Sequence, residues 1–506
     1  MKTTAWQEYE RGVDYKARIG LYNTVDINER FYAGDQWAGI PHEGLPTPVV
    51  NFIRYASAWK IAAVTDRRLK MSFFAEGTDA DGETAVYARQ ISAYCDMLWE
   101  RLKMDYLTKE GLKQAAVTGD YIQYFYWDPA IRTGQALTGD INTCLIDNVN
   151  YYPGNPNSPD VQSQPYIIIA FREFVSLVRD EAKKNGCENW EEITADGGNE
   201  YASGDRGKIE LGGAEKCNVL LRMSKKNGRV FWEKSVKNAV VQPEKDSGLK
   251  RYPVALMNWE TRKNCCHGTA EVTGLIPNQV FINKILALAQ LSQIQAGFPK
   301  VLYDRTRIRE WTNRAAGAIP VNGDISGAAQ YLSLPASSYD AWKGFETTLE
   351  TTMKMMGANE VTLGNIANPD NTSAFIAARD AAMVPLKAQQ ERFYSFVEDV
   401  GLIWLDFIKN FYGKGRMMPV THAGERIYVP VPAEALDRLT MNLKIEVGPS
   451  SMWSEAQVMQ TLDRLLKDGF ISFRQYLQRM PEGQIPLKEE LLRETEKRPE
   501  GGADHA

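Results

Sequence analysis

The sequence predicts an α+β protein built from several structural units, and three observations carry that expectation. Apolar residues recur at helical spacing near both ends of the chain and in its middle. A block between about residues 115 and 260 alternates as strands. At 506 residues the chain exceeds the size at which one hydrophobic core stops growing.

The elements follow in order. Trp6, Tyr9, Val13, Ala17, Leu21, Val25, Asn28 and Phe31 fall near a 3.6-residue period, which predicts one helix across residues 4–32. In "FYAGDQW", Gly34 stands where a left-handed cap ends that helix, with Phe31 and Trp37 as an aromatic anchor on either side. Pro46 and Pro48 hold the next stretch extended, and Asn51 is placed to cap a second helix running to about Arg68. In the strand-rich block, Asn227-Gly228 lies between Val219, Leu221, Met223 and Val230, Trp232, which marks a hairpin with a type I′ turn. Residues 183–216 are Gly-rich and charged and read as a loop.

"EVTGLIPNQVFINKILALAQLSQIQAG", residues 271–297, reads as a helix of about two dozen residues, roughly 36 Å long. Its polar stripe, Gln279, Asn283, Gln290 and Gln293, is almost uncharged. Residues 298–337 read as short strands and turns carrying Lys300, Arg305, Arg307, Arg309 and Arg314. Alternating arginines on a strand would line one face, which suits phosphates or an acidic partner but equally a solvated surface. The signature Ser337-x-x-Asp340 starts another helix. After a Gly/Asn-rich interruption at 357–371, a helical pattern runs from Thr372 to Phe411, kinked or split at Pro385. "MNLKIEVG" (441–448) alternates as a strand. A helix capped by Ser454-x-x-Gln457 follows, stopped by Gly469, with a successor ended by Pro481 and a disordered tail beyond 498.

Several function classes are excluded. A net charge of −5 lacks the basic excess of a monomer that grips duplex DNA. There is no P-loop, no G-x-S-x-G and no H-E-x-x-H, and the only histidines are His42, His267, His422 and His505. No catalytic residue, metal ligand or cofactor is therefore assigned. "NCCHG" (264–268) holds zinc-type ligands without partners at the usual spacing and reads as a turn with two half-buried thiols. The six scattered cysteines read as reduced thiols in an unexported, soluble chain. The longest uninterrupted apolar run is "YIIIAF", so no membrane span is expected.

"ERFYAGDQW" followed by "LPTPVVNFI" resembles the N-terminal signature of the portal proteins of tailed bacteriophages. "TGLIPNQVFINKILALAQLSQIQAGFPKVLYD" is similar to their first tunnel-lining helix and exit strand, and the order of later helices fits nearly to the end of the chain. The resemblance implies a wing (1–270 and 372–450, helical with a β-rich sub-region), paired stem helices (271–297 and 338–356), a small α/β clip (298–337) and a helical crown (451–498). It implies a tunnel loop at 357–371, with Asn359, Glu360, Asn365 and Asn368 as its polar residues. The stripe Gln279, Asn283, Gln290 and Gln293 would face the tunnel, Phe31, Gly34 and Trp37 would anchor the wing, and Lys300, Arg305, Arg307, Arg309 and Arg314 would meet partners or exiting DNA. Such proteins form a ring of twelve at one capsid vertex, in the virion and in host cytoplasm during assembly. Their partners are the packaging ATPase (terminase), capsid and scaffolding proteins, the head-completion or tail connector, and double-stranded DNA passing without sequence preference. The alternatives are another phage head or connector component, or a hydrolase without a familiar motif.

Overall fold

The computed structural model describes residues 3–42, 44–66, 69–75, 83–132, 137–196, 215–297, 300–312, 318–332, 338–355, 383–412, 417–422, 425–430, 441–447, 452–480, 485, 488 and 491–492. The fold is mixed α+β, with several small sheets and no parallel pair among the described strands. The chain divides into two compact units. The first comprises Met1–Val25, Lys60–Glu271 and Leu386–Ala506; the second comprises Asp26–Trp59 and Val272–Pro385.

The predicted N-terminal helix is two helices, α1 (Thr4–Arg18) and α2 (Leu21–Ala33). The apolar period runs on across the break, so periodicity alone misses it. Gly20 at φ +70° ends α1 in the left-handed region that glycine enters without steric cost. α2 ends as expected, with Gly34 at φ +101°. Helix α3 (Phe52–Val64) begins behind Asn51, whose Oδ1 accepts from Arg54 N at 3.1 Å, and stops short of the expected Arg68.

In the first unit the main core gathers α4 (Glu83–Arg101), α5 (Met104–Thr118) and α9 (Lys387–Phe411) around a three-stranded sheet. That sheet has the order β3-β2-β9, from β2 (Asp120–Asp128), β3 (Asp140–Ile146) and β9 (Val254–Asn258). The residues whose spacing predicted α9 are those it buries: Phe393, Phe396, Val400, Ile403 and Phe407, while Phe411 stacks on Trp127 at 4.2 Å between centroids. Pro385 sits in a single 3-10 turn (Val384–Leu386) ahead of α9.

The second sheet of this unit is antiparallel, in the order β4 (Tyr151–Pro153), β5 (Tyr166–Phe174), β6 (Lys216–Lys226), β7 (Arg229–Ser235) and β8 (Val240–Asp246). The β6–β7 turn is the predicted one, with Asn227 at φ +52° and Gly228 at +75°. Ala5 and Trp6 of α1 pack on Tyr152, Ile168, Ala170 and Leu220 of this sheet. Within the expected 183–216 loop, the described residues include regular structure. Helix α6 (Val175–Lys184) leads into a short turn at Trp190–Glu192, and Ile193 is fully buried; residues 197–214 lie outside the described set.

Strand β14 (Met441–Val447), expected from its alternation, pairs with the distant β1 (Leu69–Ala75). Two helices close the described chain, α10 (Met452–Lys467) and α11 (Phe473–Arg479). Ser454 lies inside α10 instead of capping it; the capping box belongs to α11, formed by Ser472 and Gln475. Gly469, at φ +75°, separates the pair.

The second unit is dominated by one long hairpin. Helix α7 (Glu271–Gly297) spans 27 residues, about 40 Å. It lies antiparallel to α8 (Ser338–Met355): Asn278 Nδ2 donates to Thr352 Oγ1 at 3.1 Å, and Gly344 lies beside Ile285. The pairing continues in β10 (Lys300–Tyr303) and β11 (Ala329–Leu332), with Lys300 opposite Leu332 and Tyr303 opposite Ala329. Residues 26–59 belong to this unit.

Candidate functional site

The most constrained polar arrangement of the second unit forms where "FYAGDQW" meets α7. Past α2, Gly34 and Asp35 return their amides to Arg30 O at 3.1 and 2.9 Å, which turns the chain sharply. Phe31 and Trp37 are buried, and Trp37 Nε1 donates to Pro48 O at 2.9 Å, tying the Pro-x-Pro stretch to the turn. Gln36, 1% exposed, donates to Phe31 O at 3.0 Å.

Gln279 and Asn283 of α7 complete this joint. Gln279 Oε1 accepts from the amides of Phe52 and Ile53 at 3.1 and 3.4 Å, so a side chain of α7 caps the start of α3. Gln279 Nε2 donates to Val50 O at 2.8 Å and to Asn283 Oδ1 at 2.9 Å. Asn283 Nδ2 passes the chain on to Gln36 Oε1 at 2.7 Å. Three carboxamides thus join the end of α2, the start of α3 and the side of α7, with each buried amide satisfied.

This corrects the expected tunnel-facing stripe. Gln279 is 0% and Asn283 2% exposed, so neither faces solvent, whereas Gln290 and Gln293 are exposed. A period of 3.6 places all four near one side but does not tell a wet amide from a buried one. The clue lay elsewhere in the sequence: the extended 45–51 segment and the start of α3 need donors and acceptors from another element.

The arginines after β10 are also rearranged. The strand ends at Tyr303, so Arg305, Arg307 and Arg309 lie in a turn and share no strand face. Arg307 folds inward, pairing with Asp304 at 3.4 Å and donating to Ser326 O at 3.1 Å. Lys300, Arg305 and Arg309 stay exposed. Arg314 lies outside the described residues, as do Asn359, Glu360, Asn365 and Asn368.

On α7 the large apolar side chains Phe281, Leu288 and Ile294 are each about half exposed, at 52, 51 and 51%. Among the described residues α7 is the one helix long and apolar enough to cross a membrane, which the search for an uninterrupted apolar run passed over. Its buried Gln279 and Asn283 are in polar contact with the protein.

The first unit holds the densest cluster of titratable groups. Asp120 is fully buried, and its carboxylate accepts from His267 Nδ1 at 2.7 Å, Gly268 N at 2.7 Å, Asn258 Nδ2 at 2.7 Å and Asn148 Nδ2 at 3.2 Å. Four donors engage its two oxygens. Lys16, 1% exposed, donates to Asn148 O at 2.7 Å and lies over the Tyr152 ring. Burial holds its amine well below the ordinary lysine value. Burial, then the nearby Asp120, pushes the Cys266 thiol up to about 12. In "NCCHG" Asn264 is exposed while Cys265, Cys266 and His267 are buried, so the two thiols lie deeper than the half-buried ones expected. Among the described residues no three His, Cys, Asp or Glu side chains are placed to hold a metal.

Gly119 and Gly268 allow this closeness: a Cβ on either would lie within 2.7 Å of the other's carbonyl oxygen. Sequence reasoning missed Asp120 and Lys16. The signal was the pair of glycines in "TGDY" and "CHGT", each beside a buried polar residue. The cluster is a closed lock that pins α1 to β2 and β9, and it offers no path for a substrate.

No protein-family model and no curated protein matches the chain.

Proposed function

We propose that this chain is a structural subunit of a portal-type ring: about twelve copies at one capsid vertex of a tailed phage, enclosing a channel for double-stranded DNA. The packaging ATPase and the tail connector would dock on the ring, and capsid and scaffolding proteins would surround it. The role is structural, with no chemistry of its own. The order of elements supports this reading, since a long helix, a small strand pair and a returning helix form one continuous hairpin, as a stem and clip require.

One observation carries it. Large apolar side chains of a helix belong in an interior, and on α7 Phe281, Leu288 and Ile294 are only partly covered by the chain itself. Among the described residues, about half of the large exposed apolar side chains fall in the second unit, including Phe281, Leu288, Ile294, Leu302, Ile325 and Trp342. At 100° per residue, Phe281 and Leu288 share one side of α7, and Gln290 and Gln293 lie on the opposite side. A closed ring needs such unlike faces, one to meet a neighbour and one to face elsewhere. Uncharged Gln290 and Gln293, with a chain at −5 or about −60 for twelve copies, would leave passing DNA mobile. Exposed Lys300, Arg305 and Arg309 form the docking surface of the clip. The double substitution Phe281→Glu/Leu288→Glu should reduce sedimentation to that of a 57.0 kDa monomer with an unchanged circular-dichroism spectrum. Assembly that survives it unaltered removes α7 from the interface.

A further inference from the structure

We infer that the exposed stripe of α7 docks against the outer stripe of α8 on the next copy of the chain, with Lys284 of one copy paired to Glu346 of the other. The inference rests on the portal reading and names what covers the same α7 face. On α7, Phe281, Lys284 and Leu288 are exposed and fall within about 60° of one another at 100° per residue. On α8, Trp342, Glu346 and Glu350 are exposed and fall within about 80°. That arc is turned away from Gly344 and Thr352, which meet α7, so it cannot reach α7 of its own copy.

Height, chemistry and symmetry agree on this occupant. Counting from the Asn278–Thr352 and Ile285–Gly344 contacts, Lys284 is level with Glu346 and Leu288 with Trp342, each within about one residue or 1.5 Å along the hairpin. Copies in a closed ring are related by rotation alone, so with the hairpin along the ring axis, groups at one height meet across the interface. The cation of the α7 stripe then meets an anion, and half-exposed Leu288 meets the half-exposed Trp342 ring. Tryptophan is among the side chains most enriched where interfaces bind most strongly. Glu350 is already paired with Lys354 at 2.6 Å, which leaves Glu346 as the carboxylate of the stripe for an outside cation. Trp342 Nε1 donates to Glu346 Oε1 at 2.9 Å, holding ring and carboxylate together with Oε2 open to Lys284. A two-fold contact centred on the α7 stripe would instead set Lys284 against Lys284, which like-charge repulsion opposes.

The test is oxidative cross-linking of the assembled full chain carrying Lys284→Cys and Glu346→Cys together, with the native chain as control for its own six cysteines. The expected result is a ladder of disulfide-linked copies on a denaturing gel, with either single variant no more cross-linked than the native chain. Charge reversal gives a second reading. Lys284→Glu or Glu346→Lys alone should raise the concentration for half assembly at least about tenfold at low salt, and the two together should bring it back. Rings in which the double cysteine variant fails to cross-link, a cross-linked dimer from Lys284→Cys alone, or a double reversal that does not restore assembly would each overturn the pairing and leave the portal reading standing. Absence of rings from the native chain removes both.

Discussion

A carboxamide inside a protein is stable only while each of its donors and acceptors is met, and Gln279 meets four groups at once. Gln279→Ala would leave the buried Ile53 amide and Asn283 Oδ1 without their partner, at a cost of about 2 kcal/mol. Hydrogen exchange at Ile53 should accelerate while exchange in β5 and β6 stays native; unchanged protection at Ile53 would show that the cap is dispensable. Lys16 yields a pH prediction. Its folded value lies below its ordinary 10.5, so the unfolded chain binds more protons and stability rises with pH toward that value. The stability gained by Lys16→Met, relative to the native chain, should therefore be largest near neutrality and shrink toward pH 10. A constant difference across that range would mean that the buried amine is not depressed. At this scale the sequence was partly legible: Gly34 and Asn51 announced their roles by residue type, whereas the burial of Gln279, Asn283, Asp120 and Lys16 depends on contacts hundreds of residues away.

At the scale of elements, close approach is written into glycines. A Cβ at Gly111 in α5 would lie 2.1 Å from the ring of Tyr121, which itself stacks on Phe396 at 4.2 Å between centroids. Gly111→Ala should cost at least about 2 kcal/mol by overpacking and lower the melting temperature by several degrees. Gly344 in α8 is the contrast, since a Cβ there would make only an ordinary 3.6 Å contact with Ile285. Gly344→Ala should stabilise by about 0.5–1 kcal/mol. Equal melting temperatures for the two variants would refute the packing account. Helices with one buried stripe, such as α9, were legible in the sequence, as was the β6–β7 hairpin with its Asn-Gly turn. The break at Gly20 was not, because the apolar period continues across it. The turn after β10 was not legible, because alternation over a few residues suits a turn as well as a strand.

At the scale of the whole molecule, the account rests on apolar surface that one chain leaves uncovered. Composition and net charge narrowed the classes of function, and the resemblance to portal proteins suggested a ring. Neither could show that Phe281, Leu288 and Ile294 of α7 remain half uncovered after folding, because only packing reveals which side of a largely apolar helix lacks a neighbour. The most direct test is negative-stain microscopy of the purified chain together with light scattering. Rings with a central hole wide enough for duplex DNA, at about twelve times 57.0 kDa, are the predicted result. A uniform 57.0 kDa monomer with no rings would contradict the account.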